Sequence, residues 1–155
     1  MNREELMREA IRISIENVAN GGGPFGAVIA RDGEIVAVGA NRVTASHDPT
    51  AHAEVSAIRA ACERLGTFDL SGCEIYTSCE PCPMCLGAIY WARIDRIFYG
   101  NNRDDAEKIG FGDAFIYREL MLPLSEREKQ IEELLPDEAI AAFEAWRDKP
   151  DREEY

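Results

Sequence analysis

Positive charge is scarce in this chain. Lysine and arginine total 17 against 29 aspartates and glutamates, a formal net charge of −12 at pH 7. Proteins that grip a phosphate backbone do so with clustered Lys and Arg. From Asp104 onward there are 16 acidic and 7 basic side chains, so the C-terminal third alone carries −9. A polynucleotide meets a repulsive field there and a small uncharged substrate does not, so no nucleic-acid partner is expected. Long apolar runs are missing too. No stretch approaches the ~20 residues that a membrane span needs, and the opening Met1 to Glu9 is charged rather than signal-like. The expectation is a cytoplasmic protein with no membrane association. Internal repeats, low-complexity tracts and interdomain linkers are absent as well. With 46% hydrophobic and 30% charged residues, the 155 positions are expected to form one globular domain, residues 1–155.

Histidine is the next scarcity. There are two, and His47 has no assignable role. The other, His52, stands two residues before Glu54. The five cysteines in a chain without a signal-like start argue against a disulfide framework. Cys79, Cys82 and Cys85 fall within seven residues, which favours metal chemistry. A catalytic zinc site typically takes three protein ligands and keeps its fourth position for water. His52, Cys82 and Cys85 supply those three, and Glu54 is the carboxylate left to move protons. The arrangement matches H-x-E…P-C-x-x-C, the signature of zinc-dependent nucleobase deaminases. In that chemistry a metal-activated water attacks the ring carbon bearing an exocyclic amine. Glu54 then passes the proton to the ring and to departing ammonia.

Periodicity predicts a helix over residues 3–19, with Leu6, Ala10, Ile11, Ser14 and Val18 on one face, stopped by Gly21-Gly22-Gly23. Pro24 to Ala30 reads as a strand, Asp32-Gly33 as a hairpin turn and Glu34 to Asn41 as its partner. Asp48-Pro49 opens a second helix, with Val55, Ile58, Cys62 and Leu65 on one face and Gly66 at its end. Glu74 to Ser78 is a third strand. Pro81 begins a third helix reaching about Ala92, with Gly87 and Ala88 small enough for close packing. Arg96 to Tyr99 is a fourth strand. Short helical turns are expected between Asp104 and Arg118. A helix over Pro136 to Arg147 would turn Ile140, Phe143 and Trp146 (or Ala139) inward. Residues 124–134 are ambiguous between a helix and a fifth strand. The fold class is α/β, with helices on a central sheet.

Cys82 and Cys85 lie three apart, so on a helix they share one face. Prolines at 81 and 83 put them in its first turn, where the helix dipole favours thiolates. His52 and Glu54 are harder to reconcile. Two helical steps turn a side chain by about 200°, so mid-helix the two would point nearly opposite ways. They serve one site only if both reach around the helix's N-terminal rim. The pattern therefore implies two helix N-termini converging on one zinc.

These segments resemble the cytidine-deaminase-like superfamily and, within it, the bacterial guanine deaminases, over essentially the whole chain. The resemblance rests on Gly-Gly-Pro24-Phe25-Gly-Ala-Val-Ile, Asp48-Pro-Thr-Ala-His52-Ala-Glu54 and Tyr76-Thr-Ser-Cys-Glu-Pro-Cys82-Pro-Met-Cys85. It continues through Tyr-Trp91-Ala-Arg, Gly110-Phe-Gly-Asp113-Ala-Phe-Ile-Tyr117, Phe143-Glu-Ala-Trp146-Arg and the closing Glu-Tyr155. It implies a three-layer α/β/α fold around a mixed sheet of about five strands, with one zinc per subunit. It also implies hydrolysis of guanine, a small-molecule purine, to xanthine and ammonia. Asp113 would read the purine edge, Asn41 would bond to the ring, and Phe25 and Trp91 would pack near it. The same resemblance implies a homodimer whose C-terminal segment, about 136–155, is swapped so that Tyr155 closes the neighbouring pocket.

Other readings stand beside these. Cys82 and Cys85 would also fit a structural zinc site or a redox dithiol; Cys79, which forms a CxxC with Cys82, is available as a fourth ligand or as an alternative to Cys82. Glu54 alone would be an ordinary first-turn carboxylate favoured by the dipole. A tRNA adenosine deaminase would share the zinc and glutamate. Cytosine, guanosine and amino-triazines are alternative substrates, and a zinc-stabilised binding module is the non-enzyme alternative.

Overall fold

The computed structural model describes all residues 1–155. They divide into two compact units, Met1–Tyr117 and Arg118–Tyr155. In the first, α1 (Arg3–Ala19) leads into the hairpin β1 (Gly26–Arg31) and β2 (Glu34–Ala40). A short α2 (Val43–Ser46) and α3 (Ala53–Leu65) follow, then β3 (Glu74–Cys79), α4 (Pro83–Trp91), β4 (Arg96–Asn101) and α5 (Arg103–Lys108). α6 (Asp113–Leu120) spans the division between the units.

The strands form a mixed sheet of order β2-β1-β3-β4, with β1 antiparallel to both neighbours and β3 parallel to β4. There are four strands, one fewer than expected. The ambiguous stretch 124–134 is neither strand nor regular helix: a single 3₁₀ turn, Leu124–Glu126, is followed by irregular chain. The run Glu126-Arg-Glu-Lys-Gln-Ile-Glu-Glu-Leu134 carries charge at most positions and has no period-2 alternation to bury one face.

β1 is the centre of the sheet and is apolar on both faces, as a strand covered from both sides must be. Ala27 and Ile29 pack with Ile75, Ala57, Ala61 and Ile89 beneath α3 and α4. Val28 and Ala30 pack with Tyr76 and with Leu6, Ala10 and Ile13 of α1. Three layers result. Two glycines set the spacing between them. A Cβ on Gly26 would lie 2.5 Å from the Ala10 carbonyl oxygen, and one on Gly39 only 2.2 Å from that of Ala53. Both helices thus touch bare backbone. Gly87, expected to serve that purpose, faces open space instead.

α1 begins on a capping box: the Asn2 side chain accepts from the Glu5 N–H and Glu5 returns the bond to Asn2. Its inward face is Leu6, Ala10, Ile13 and Ser14. Ile11 and Val18, expected inward, are exposed. The i, i+4, i+7, i+8 set places the centre of contact one residue round from Ile11. α3 starts later than expected. Asp48 accepts from the N–H (2.9 Å) and hydroxyl (2.7 Å) of Thr50, an Asx-type turn that uses the side chain expected to cap the helix. His52 becomes the N-cap, and Gly66, at φ +65°, ends the helix. Its buried face is Ala53, Glu54, Ala57 and Ala61, with Ile58, Cys62 and Leu65 half-buried at the margin.

In the second unit α7 (Pro136–Asp148) starts from Leu135, whose backbone is left-handed. None of its residues is buried. Ile140, Phe143 and Trp146, expected to turn inward, are exposed. Their spacing marks a face without saying what meets it. Trp146 and Tyr155 lie edge to face, with ring centroids 6.4 Å apart.

Candidate active site

Two helix N-termini supply the chemistry. His52 is the N-cap of α3, in extended conformation (φ −67°, ψ 158°), and Glu54 follows in the first turn. That pose cancels the 200° conflict, because the histidine lies outside the helix and approaches from its rim. Cys82 is likewise the N-cap of α4, in extended conformation, with Pro83 as first helical residue and Cys85 in the first turn.

The His52 Nδ1 lies 3.5 Å from the Cys82 sulfur and 3.5 Å from the Cys85 sulfur. A ring nitrogen carries at most one proton, so it cannot donate to both sulfurs. Equal distances suit a shared ion better. Bonds of about 2.1 Å to nitrogen and 2.3 Å to sulfur at a tetrahedral angle put N and S about 3.6 Å apart. The three donor atoms all lie within 4.8 Å of one another. Cys79 is not among them. It is buried, its thiol donating to the Asn102 carbonyl at 3.8 Å. Burial, then the Asp113 carboxylate, hold that thiol up to about 12.

The electrostatics suit a cation. A hydrogen bond from Cys85, and then the His52 ring, pull the Cys82 thiol down to about 4. The hydrogen bond to Cys82 and burial hold Cys85 up in turn. A divalent cation ends that contest by taking both sulfurs as thiolates. Glu54 is 5% exposed, and burial raises its carboxyl above the usual range. Burial and then Cys82 raise Asp113 in the same direction.

A cavity of about 350 Å³ opens onto this group. His52, Glu54 and Cys82 meet Phe25, Asn41 and Asp113 in its lining, so six of the sequence-predicted residues share one wall system. Asn41 is buried; its Oδ1 accepts from the Val43 N–H at 3.2 Å, and its carbonyl accepts from Asn17 Nδ2 at 2.9 Å. Phe25 is braced edge-on by Phe111, centroids 4.8 Å apart. Three predicted residues are not in the lining: Cys85, buried behind it, and the two aromatic residues Trp91 and Tyr155. Trp91, 70% exposed, ends α4, and Tyr155, 72% exposed, belongs to the second unit.

Sequence reasoning missed Glu80 and Phe111, which also line the cavity. Glu80 sits inside Cys79-Glu-Pro-Cys82, a place that signals nearness to the ligands and not its partner. It accepts from the Arg103 backbone N–H (3.1 Å) and from its guanidinium (Nε 3.0 Å, Nη2 2.9 Å). Arg103 lies over the Tyr117 ring at 3.9 Å, and Tyr117 donates to the Pro81 carbonyl at 2.7 Å. This chain of contacts ties the ligand loop to α5 and α6.

Residues 1–101 match the cytidine and deoxycytidylate deaminase zinc-binding region. The chain belongs to that family. Zinc is therefore the cofactor of the His52, Cys82 and Cys85 group. Among relatives in the deaminase family, guanine deaminase of Bacillus subtilis is 51% identical over the full length of both chains. Its solved structure superposes with a TM-score of 0.96, covering 100% of this chain and 99% of that one. The tRNA-specific adenosine deaminase of Aquifex aeolicus is 41% identical over 64% of this chain and 66% of its own. The structure of a guanine deaminase from Nitrosomonas europaea is 30% identical, covering 93% and 72%, at a TM-score of 0.69.

Proposed function

We propose that the chain is a zinc-dependent guanine deaminase, converting guanine and water to xanthine and ammonia. The observation that carries the reading is the buried Glu54 carboxyl beside the His52, Cys82 and Cys85 triangle, open to one cavity of about 350 Å³. That volume is in the range of small-ligand sites. The full-length similarity to a guanine deaminase supports the choice of base.

His52, Cys82 and Cys85 would hold the zinc, which would supply Lewis acidity and bring the pKa of a water towards ~7. Glu54 accepts the water's proton, delivers it to the ring nitrogen, and then protonates the leaving amine. Burial raises its pKa, the direction that favours taking the proton from water. Asn41 is oriented by the Val43 N–H bond to its Oδ1, which leaves its amide NH₂ for acceptors on the purine. Asp113 accepts from the N–H edge of the base, and Phe25, fixed by Phe111, packs on the ring.

We keep Trp91 as a residue packing near the purine and assign Tyr155 to closure in a homodimer. The exposed apolar residues of α7 support exchange of residues 136–155 between subunits, with Tyr155 capping the partner's site. Five unpaired thiols suit a reducing compartment, and the reading places the enzyme in the cytoplasm.

Ammonia release from guanine, guanosine, adenine, cytosine and a tRNA anticodon stem-loop tests the proposal. Release from guanine is expected. Activity on the stem-loop alone transfers the assignment to RNA editing, and silence on every substrate by zinc-loaded protein favours a binding module.

A further inference from the structure

β3 contains a hydroxyl where its environment asks for a methyl. Thr77 is 1% exposed, in the strand whose neighbour Ile75 belongs to the apolar cluster beneath α3 and α4. A buried hydroxyl costs free energy unless it is hydrogen-bonded. Valine fits the same space and favours strands. The hydroxyl is not idle. Thr77 Oγ1 lies 2.8 Å from Glu54 Oε1 and 2.9 Å from the Cys79 carbonyl oxygen.

We propose that Thr77 is a positioning residue, pinning Glu54 Oε1 from β3 so that Oε2 is held towards the zinc site and substrate. This inference rests on the deaminase reading given above. The Thr77 hydroxyl is the side-chain donor that the structure places on the Glu54 carboxyl, at 2.8 Å. Cys82 and Cys85, as thiolate ligands, would offer it no hydrogen. The Thr77 bond fixes a carboxyl torsion that is otherwise free to turn.

The bond suits a group that carries protons. Thr77 donates to Oε1, which accepts both while Glu54 is a carboxylate and while the proton in transit sits on Oε2. A methyl at this position would leave Oε1 without that partner. The Cys79 carbonyl lies 2.9 Å from the same hydroxyl, and the Cys79 sulfur is uninvolved.

The test compares zinc-loaded wild type with Thr77→Val and Thr77→Ser, and uses Thr77→Ala against Thr77→Ser as a second pair in which both lack the methyl and only alanine lacks the hydroxyl. We expect valine and alanine to lower kcat on guanine by about 10- to 100-fold, the scale of one hydrogen bond to a charged group. KM should stay within about twofold, zinc should remain one per chain, and serine should keep kcat within about threefold of wild type. Crystal structures of zinc-loaded Thr77→Val or Thr77→Ala should show the Glu54 carboxyl turned from its wild-type orientation. Wild-type kcat in the valine or alanine variant overturns the inference. So does an equal loss in serine and alanine, or an unmoved Glu54. If wild type itself releases no ammonia from guanine, the functional reading has failed instead, and the Glu54 orientation still decides the role of Thr77.

Discussion

At the scale of single residues, the account turns on Glu54 being a proton carrier and not a ligand. Glu54→Gln keeps the shape and removes the proton traffic. It should retain one zinc and lose about 10²–10⁴ in kcat, measured as ammonia release alongside metal analysis. Residue identities at the metal were legible because imidazole and thiolate at H-x-E and P-C-x-x-C spacing have few other uses. Glu80 was not, although it sits in the same motif. A carboxylate's role there depends on where Arg103 folds back to meet it, and sequence separation hides that. Thr77 was invisible for the same reason, since in β3 it reads as one more strand residue.

At the scale of elements, the ligands are only as well placed as the ends of α3 and α4. Gly39 lets β2 lie against α3 with no side chain between, and the first turn of α3 carries Glu54. Gly39→Ala sets a methyl against the Ala53 carbonyl. Overpacking there should cost about 3 kcal/mol or more in urea unfolding and weaken zinc retention. The hairpin turn at Asp32-Gly33 and the αL stop at Gly66 were legible, since positive φ leaves few residue choices. The start of α3 was not, because Asp48-Pro49 has the letters of a helix cap and forms a turn. β3 yields a pH test. Burial, then the bond to Glu74, push the Tyr76 phenol up to about 12, above its unfolded value near 10. The folded state therefore keeps that proton longer. The stabilisation is complete below pH 10 and is lost as pH rises towards 12. Unfolding of Tyr76→Phe should accordingly show a shallower alkaline decline than wild type between pH 10 and 12.

At the scale of the whole molecule, the sheet and its two covering layers were readable from alternation and helical spacing, while the destination of α7 was not. Amphipathic spacing tells that a face wants burial and says nothing about which surface buries it. Ile140, Phe143 and Trp146 illustrate the point. If α7 and the tail are exchanged, deleting Tyr155 should impair guanine turnover without changing zinc content. Mixing that deletion with Asp113→Ala should restore activity at one of two sites, whereas no recovery after verified subunit exchange contradicts closure in trans. The catalytic account itself depends on a coordination position left open by the protein. Zinc-edge X-ray absorption on the loaded enzyme reads this directly. Two sulfur, one nitrogen and one oxygen scatterer are expected; three sulfurs and one nitrogen, with Cys79 as the extra ligand, would contradict the hydrolytic site.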